Sequence, residues 1–473
     1  MVVLSACARQ DAATAIATST TAASVAVATA TATATAVSQT GASTTAQQPA
    51  QGAPSGNPPG APPGQPGGTS STYTITAAYT QTGGTQTKSD QTYTATSADQ
   101  SAVYVTSSGS LTLSGATITT SGNTSSADNS SFRGLNAALL AAGGSTITLS
   151  DGSITTSGTG ANGAFATDSG SSVALSNVTI KATGDGGHGV MATNGGKMTL
   201  TNVDMTTAGK NSGAIATDRG GGTIVVTGGT VTTTGQDSPA IYSTGAISVT
   251  GGTLTAKGAE AAVIEGGNSI TLNDTSLTST LEKWGVMIYQ SMSGDAAGTK
   301  GTFTMTGGSL VYTPTSGPLF YVTNSTGVIT LKGVKVDSST ATLVKASAGS
   351  WGSQGSNGGT VILTADGQSL KGSLVADNIS SIALTLQNGS TLDGAVNTDH
   401  TAKSVSLTLD ASSTWNVTAD SYVTTLSGAA ISGTTVSNIS GNGHTVYYDS
   451  ASNPSLGGKT YTLNGGGTLK PAS

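Results

Sequence analysis

Charge is scarce in this chain. Asp, Glu, Lys and Arg make up 8% of the 473 residues, with 17 basic side chains against 23 acidic ones and a formal net charge of -6. A nucleic-acid binder needs a basic footprint, which is missing, so nucleic acid is not an expected partner. Aromatic residues are only 4%, and charged ones are too few for the surface of an ordinary compact enzyme. Cys7 is the one cysteine, and the three histidines, His188, His400 and His444, lie far apart. With no Cys cluster and no Gly-Gly-x-Gly-x-Asp repeat, neither a metal site nor a cofactor is expected.

In their place stand glycine, 67 residues of it, and a strong Ser/Thr bias. Between residues 136 and 396 one unit of 22 to 33 residues recurs, as in HGVMATNGGKMTLTNVDMTTAG (188–209) and PAIYSTGAISVTGGTLTAKG (239–258). Each unit reads as three short strands. Phe165, Met191, Ile215, Ile241, Val263, Met287, Phe320, Val344 and Val375 align as one apolar column of the first strand. The second strand places apolar residues two apart, as in Val173/Leu175, Met198/Leu200 and Ile224/Val226, and the third adds Val178/Ile180 and Val203/Met205. Period two with β-branched content and Asn/Gly turns means strand. A coil of this size cannot bury its apolar side alone, so stacking is compulsory.

These features define an all-β chain, a single-stranded right-handed parallel β-helix with three strands per coil, the hand following from the preference of parallel crossovers. At about 4.8 Å per coil, roughly thirteen coils span about 60 Å. The solenoid is expected over 71–426, with capping coils at each end and a carboxyl-terminal coil and cap over 427–473, where Tyr447, Tyr448 and Tyr461 cover the last coil. Residues 8–70 are low-complexity, first Ala/Thr/Ser and then Pro/Gly, and are expected to form a disordered tether. Residues 1–7 are expected to be the remnant of a lipoprotein signal peptide. Leu4-Ser5-Ala6-Cys7 is similar to a lipobox, in which a small residue precedes the cysteine that is lipidated; only Met1, Val2, Val3 and Leu4 precede Ser5-Ala6-Cys7, so either the true start lies upstream or the match is accidental. The expectation is lipidation at Cys7, a lipid anchor as the only membrane contact, and a bacterial cell-surface or extracellular location.

The repeats with Gly-Gly-Thr turns and the YTLNGGGTL ending resemble bacterial adhesin-like right-handed β-helix proteins of the pectin-lyase-like superfamily. They also resemble autotransporter passenger domains, without the translocator barrel. The resemblance covers roughly residues 71–473 and rests on repeat texture. It implies an adhesin or, among the superfamily's enzymes, a polysaccharide lyase or glycoside hydrolase that works with paired carboxylates and a base.

The acid ladder that such chemistry needs is Asp168, Asn194 and Asp218, placed in one register on three successive coils. Asp168 and Asp218 would then lie about 9.6 Å apart, near the upper limit for an inverting pair. Lys197, Lys210, Arg219 and His188 are the basic neighbours. Turn formation, in which Asp or Asn bonds its own backbone, is the preferred reading of these positions. Gly158-x-Gly160-x-x-Gly163 and Gly184-x-Gly186-x-x-Gly189 match a dinucleotide fingerprint in letters but open no helix. Trp284, Trp351 and Trp415 are expected to cover the side of the solenoid rather than stack on sugars. Ice binding, which flat Thr-rich strands could serve, is disfavoured because Asp, Lys and Met interrupt the Thr columns.

Function in a solenoid sits in its insertions. Here they are residues 122–136, 289–301 and 347–359, which form a recognition surface if they share one face. The expected function is a non-enzymatic cell-surface adhesin or structural rod that attaches to glycans, matrix or other cells.

Overall fold

The computed structural model describes residues 73–472 and a short strand, Val37–Gln39. Cys7 and the remainder of the 8–70 segment lie outside the described residues. Val37–Gln39 is a departure from the expected tether: it pairs antiparallel with Tyr73–Thr82, whose outer edge would otherwise leave a row of unpaired backbone groups.

Each coil lays down three strands that pair in parallel with their counterparts before and after. Ala164–Thr167, Ser172–Ser176 and Thr179–Ala182 form one coil, and Val190–Thr193, Gly196–Thr201 and Asp204–Thr207 the next. Repetition builds a β-solenoid with a first sheet of 13 strands, a second of 14 and a third of 10. The solenoid runs to about 16 turns, against the expected thirteen, because its last coils continue into a further sheet. At the carboxyl end the third-strand and first-strand positions merge into one 9-stranded sheet, because Tyr461–Asn464 and Thr468–Pro471 fold back antiparallel and close it.

Turn chemistry follows the sequence. The residue after the second strand takes a left-handed φ in nearly every coil, as at Asp151 (52°), Asn177 (51°), Asn202 (51°) and Gly228 (68°), where Asn, Asp and Gly are the residue types that tolerate it. A different constraint selects glycine after the third strand. A Cβ on Gly184, Gly209, Gly235 or Gly258 would stand 2.0, 2.1, 1.7 or 2.0 Å from the carbonyl oxygen of the corner glycine one coil back. Stacked corners there leave no room for a side chain. The two fingerprint-like Gly-x-Gly-x-x-Gly runs are this corner: Gly158 and Gly184 belong to the ladder, and Gly160 and Gly186 have φ of 73° and 68°.

Second and third strands alternate as read, with inward Ile, Leu, Val and Met and outward Thr and Ser. The middle outward column of the second sheet includes Thr112, Thr148, Thr199, Thr271, Thr304, Thr330, Thr364, Thr385 and Thr408, broken by Ala174, Val225 and Ser248. Met205 does not interrupt a Thr column, since it faces the core; on the third sheet Lys181 and Asp204 do.

The first strand departs from the expected single column. Register pairs Phe165 with Met191, but Met191 with Ala216, and Ile215 with Val190. Ile215, Ile241, Phe320 and Val344 therefore face the solenoid core with Val190, whereas Phe165, Met191, Val263 and Met287 face outward. Val375 pairs with Lys345, one position away from the Val344–Leu374 pair. Both sides of this sheet are buried. Leu140, Phe165, Met191, Ala216, Tyr242, Val263, Met287 and Tyr321 belong to a second apolar cluster on its outer side, and a strand buried on both faces loses the alternation that reveals its register.

The carboxyl-terminal tyrosines divide likewise. Tyr448 and Tyr461 are inside, donating to the Lys459 and Leu456 carbonyls at 2.7 and 3.0 Å. Only Tyr447 lies outward, stacked on Tyr422 at 4.6 Å.

Candidate functional site: a groove over the first sheet

The shell that buries the outer side of the first sheet is made of the three insertions. In the first, Ser126 caps a short helix, Ala127–Arg133, by accepting from the Asn129 N–H, and Gly134 ends it with a φ of 75°. A Cβ on Gly134 would strike Leu140 and Phe165 at 2.7 and 2.8 Å, so the chain lies directly on the outer cluster. The Phe132 carbonyl accepts from Thr193 Oγ1 (3.0 Å) and Asn194 Nδ2 (3.2 Å). Arg219 then joins two insertions: its guanidinium lies 4.0 Å over the Phe132 ring, and its Nη2 donates to Asp295 Oδ1 at 2.8 Å. Tyr289, at the root of the second insertion, packs against Trp351 of the third at 4.8 Å.

Between the helix and the corner that precedes the first strands runs a groove of about 310 Å3. Ala127 and Ser131 wall it, Tyr242 and Val263 form its apolar floor, and Asp185, His188, Lys210, Asp218, Asp237 and Glu260 supply its charge and polarity. Lys283 stands behind it, 2.9 Å from Glu260 and 3.5 Å from Asp237.

The acid ladder does not exist in the form expected from sequence. Thr167 pairs with Thr193, which sets Asp168 beside Asn194, but Ala192 pairs with Thr217, which sets Asp218 beside Thr193. The three are therefore not in one register. Asp168 has a left-handed φ of 76°, accepts from the Gly143 N–H at 3.1 Å and lies 3.9 Å from Arg133, away from the groove. Asn194, at φ 50°, holds the helix as described. Asp218 alone reaches the groove. It is 2% exposed, and one oxygen accepts from the Arg219 N–H at 2.7 Å. Of the basic neighbours, His188 and Lys210 line the groove and Arg219 braces the shell.

Sequence reasoning missed the acid two coils on. Continuing the register, Asp218, Thr244, Glu265 and Tyr289 form one outward column, placing Asp218 and Glu265 about 9.6 Å apart. Glu265 is fully buried and accepts from Tyr242 Oη (2.5 Å), Tyr289 Oη (2.8 Å) and Ser291 Oγ. Burial, and secondly Glu265 itself, pushes both tyrosine hydroxyls well above their ordinary range, so they stay protonated donors. Only the run Ala262–Glu265, an acid ending an apolar strand, could have given the signal.

Burial, then the nearby Asp295 carboxylate, raises the Asp218 carboxyl well above its usual range. His188, whose Nδ1 lies 3.0 Å from Asn162 Oδ1, is pushed down to about 4 by burial and is neutral at pH 7. The sign for Asp218 is a penalty. Once pH exceeds the carboxyl's unfolded value, the unfolded chain gives up a proton that the native state keeps, so stability falls as pH rises. Asp218→Asn is therefore expected to melt higher than the parent at pH 7, with the gap closing toward pH 4. A gap that stays constant between those pH values would remove the claim that burial raises this carboxyl.

The tryptophans are committed to packing. Trp415 is fully buried in the core, a position the sequence did not suggest, with Nε1 donating to the Gly394 carbonyl at 2.8 Å. Trp284 stacks on Tyr321 at 4.4 Å and Trp351 is buried in the shell. A second concavity, near the carboxyl end, is lined by His400, Tyr422 and Tyr447. These rings stack on one another at 4.2 and 4.6 Å, which covers both faces of Tyr422, and the Lys470 ammonium lies 5.1 Å from the Tyr447 ring. Among the described residues no three His, Cys, Asp or Glu side chains converge closely enough to hold a metal ion.

The protein is thus a parallel β-solenoid with one partly walled groove on a sheet roofed by insertions. Comparisons with protein-family models, curated proteins and solved structures find no match.

Proposed function

We propose that the chain is a non-enzymatic attachment protein, an adhesin-like solenoid that binds glycans or matrix at a bacterial cell surface. Cys7 would carry the lipid anchor and residues 8–70 the tether. The observation that supports this reading is the convergence of all three insertions on one face. Insertions scattered around a solenoid are tolerated additions; insertions that join over one sheet, the first of them walling a groove, are how a repeat protein makes a recognition surface. The groove's mix of acidic and polar side chains over an apolar floor suits sugar hydroxyls and ring faces.

The acids also argue for binding over turnover. Glu260 and Asp237 are paired with Lys283, Asp295 with Arg219, and Glu265 with two tyrosines and a serine. The alternative is a polysaccharide lyase or glycoside hydrolase of the pectin-lyase-like kind, and its support is Asp218, a buried carboxyl on the groove wall. A polysaccharide panel read for both retained protein and released sugar separates the two. Retention without release is expected; release that disappears in Asp218→Asn while retention persists would make the chain an enzyme. Neither signal would defeat both.

A further inference from the structure

We infer that the Asp218 end of the groove is a site for a protonated amine, and that the glycan unit it takes is a hexosamine with a free amino group. The second half rests on the glycan reading above; the first does not.

The groove region is short of cations. Asp218 is influenced by Asp295 and Glu265, and the cation that acts on it is Arg219, whose Nη2 is held by Asp295 and whose guanidinium lies over Phe132. The next acids along the wall, Glu260 and Asp237, share a single ammonium, that of Lys283. Lys210 and Asp185 line the same corner as Asp237 and Glu260, the corner that precedes the first strands, and the Lys210 backbone N–H donates to Asp185 Oδ1 at 2.8 Å. Asp218 is buried on the groove wall, and the one hydrogen bond it accepts, from the next residue's backbone, occupies Oδ1 and leaves Oδ2 without a protein donor. A buried carboxyl oxygen with no donor, opening into a cavity, calls for a donor from the ligand.

The kind of donor is narrowed by what surrounds it. A divalent metal requires several oxygens in one coordination sphere, and these acids do not converge. An ammonium requires only one to three acceptors, and the Lys283 ammonium between Asp237 and Glu260 is a working example on the same wall. A neutral hydroxyl would satisfy the oxygen but leave the excess of negative charge in place. An ammonium on a pyranose, seated against Tyr242 and Val263, satisfies both, since the ring brings its own apolar face to the groove floor. An N-acetyl group would remove the charge that the site lacks.

Titration calorimetry of the full chain at pH 7 against β-1,4-linked glucosamine oligomers, their fully N-acetylated counterparts and spermidine tests this. The free-amine oligomer is expected to bind at least about tenfold more tightly than the acetylated one. Asp218→Asn should abolish the preference, and Asp168→Asn, outside the groove, should keep it. The melting curve of Asp218→Asn, expected to shift upward, guards against a folding defect. Equal affinity for both oligomers, or a preference untouched in Asp218→Asn, overturns the inference while leaving glycan attachment standing. Spermidine binding that depends on Asp218, without oligomer binding, supports the amine site and overturns the hexosamine. No binding by any of the three overturns both parts.

Discussion

Alanine at Gly235 is expected to destabilise the solenoid by about 3 kcal/mol or more, at the upper end of what overpacking costs. The added methyl would sit 1.7 Å from the Gly209 carbonyl oxygen. That oxygen belongs to backbone one coil back, which is itself stacked on Gly184, so it has no rotamer to change. Relief requires the corners to separate, which would break the parallel pairing that holds Thr230–Thr233 between its neighbours. The same substitution at Gly389, where φ is 75° but nothing lies within 4 Å, should cost only about 1 to 2 kcal/mol of left-handed strain. Chemical denaturation of the two variants side by side checks the claim. Equal midpoints would mean that the corner spacing, and not merely the turn conformation, has been misjudged.

The second large effect is at Trp415. Truncation to alanine removes the largest fully buried side chain of the carboxyl-terminal coils and orphans the Gly394 carbonyl, with an expected loss of about 3 to 5 kcal/mol. Because coils contact only their neighbours, the loss should appear first as local opening after residue 390, seen as accelerated hydrogen exchange there. Ligand retention should be unaffected under conditions where the variant is folded. Loss of retention with unchanged stability would instead place Trp415 at a ligand surface.

How far the sequence could be read depends on which strand is considered. Val173/Leu175 and Met198/Leu200 revealed their sheet because one face is wet: polar outward residues mark the alternation, and the register follows. Phe165 and Met191 are as apolar as Ile215, so aligning large residues placed them in one column, when Ala216 is the true neighbour of Met191. The shell erased the pattern that would have exposed its own presence. The error then propagated to the site, since a one-residue shift separates Asp168 from Asp218 and brings Glu265 into the Asp218 column. The insertions themselves were legible as breaks in the repeat. That they share a face was not, because it depends on Phe132, Arg219 and Trp351 meeting partners 61 or more residues away. Trp415 was equally hidden: a lone Trp between polar residues reads as a loop residue, until Leu392 and Ile439 are paired on either side of it.

The most direct test of attachment through the roofed face is hydroxyl-radical footprinting of the full chain with and without a glycan that it retains. Protection is expected at residues 126–133, at His188, Pro239 and Tyr242, and in the 289–301 insertion, with the Thr column of the second sheet unchanged. Protection of that Thr column, with the groove still open to solvent, would contradict the account and move recognition to the bare hydroxyl face of the solenoid.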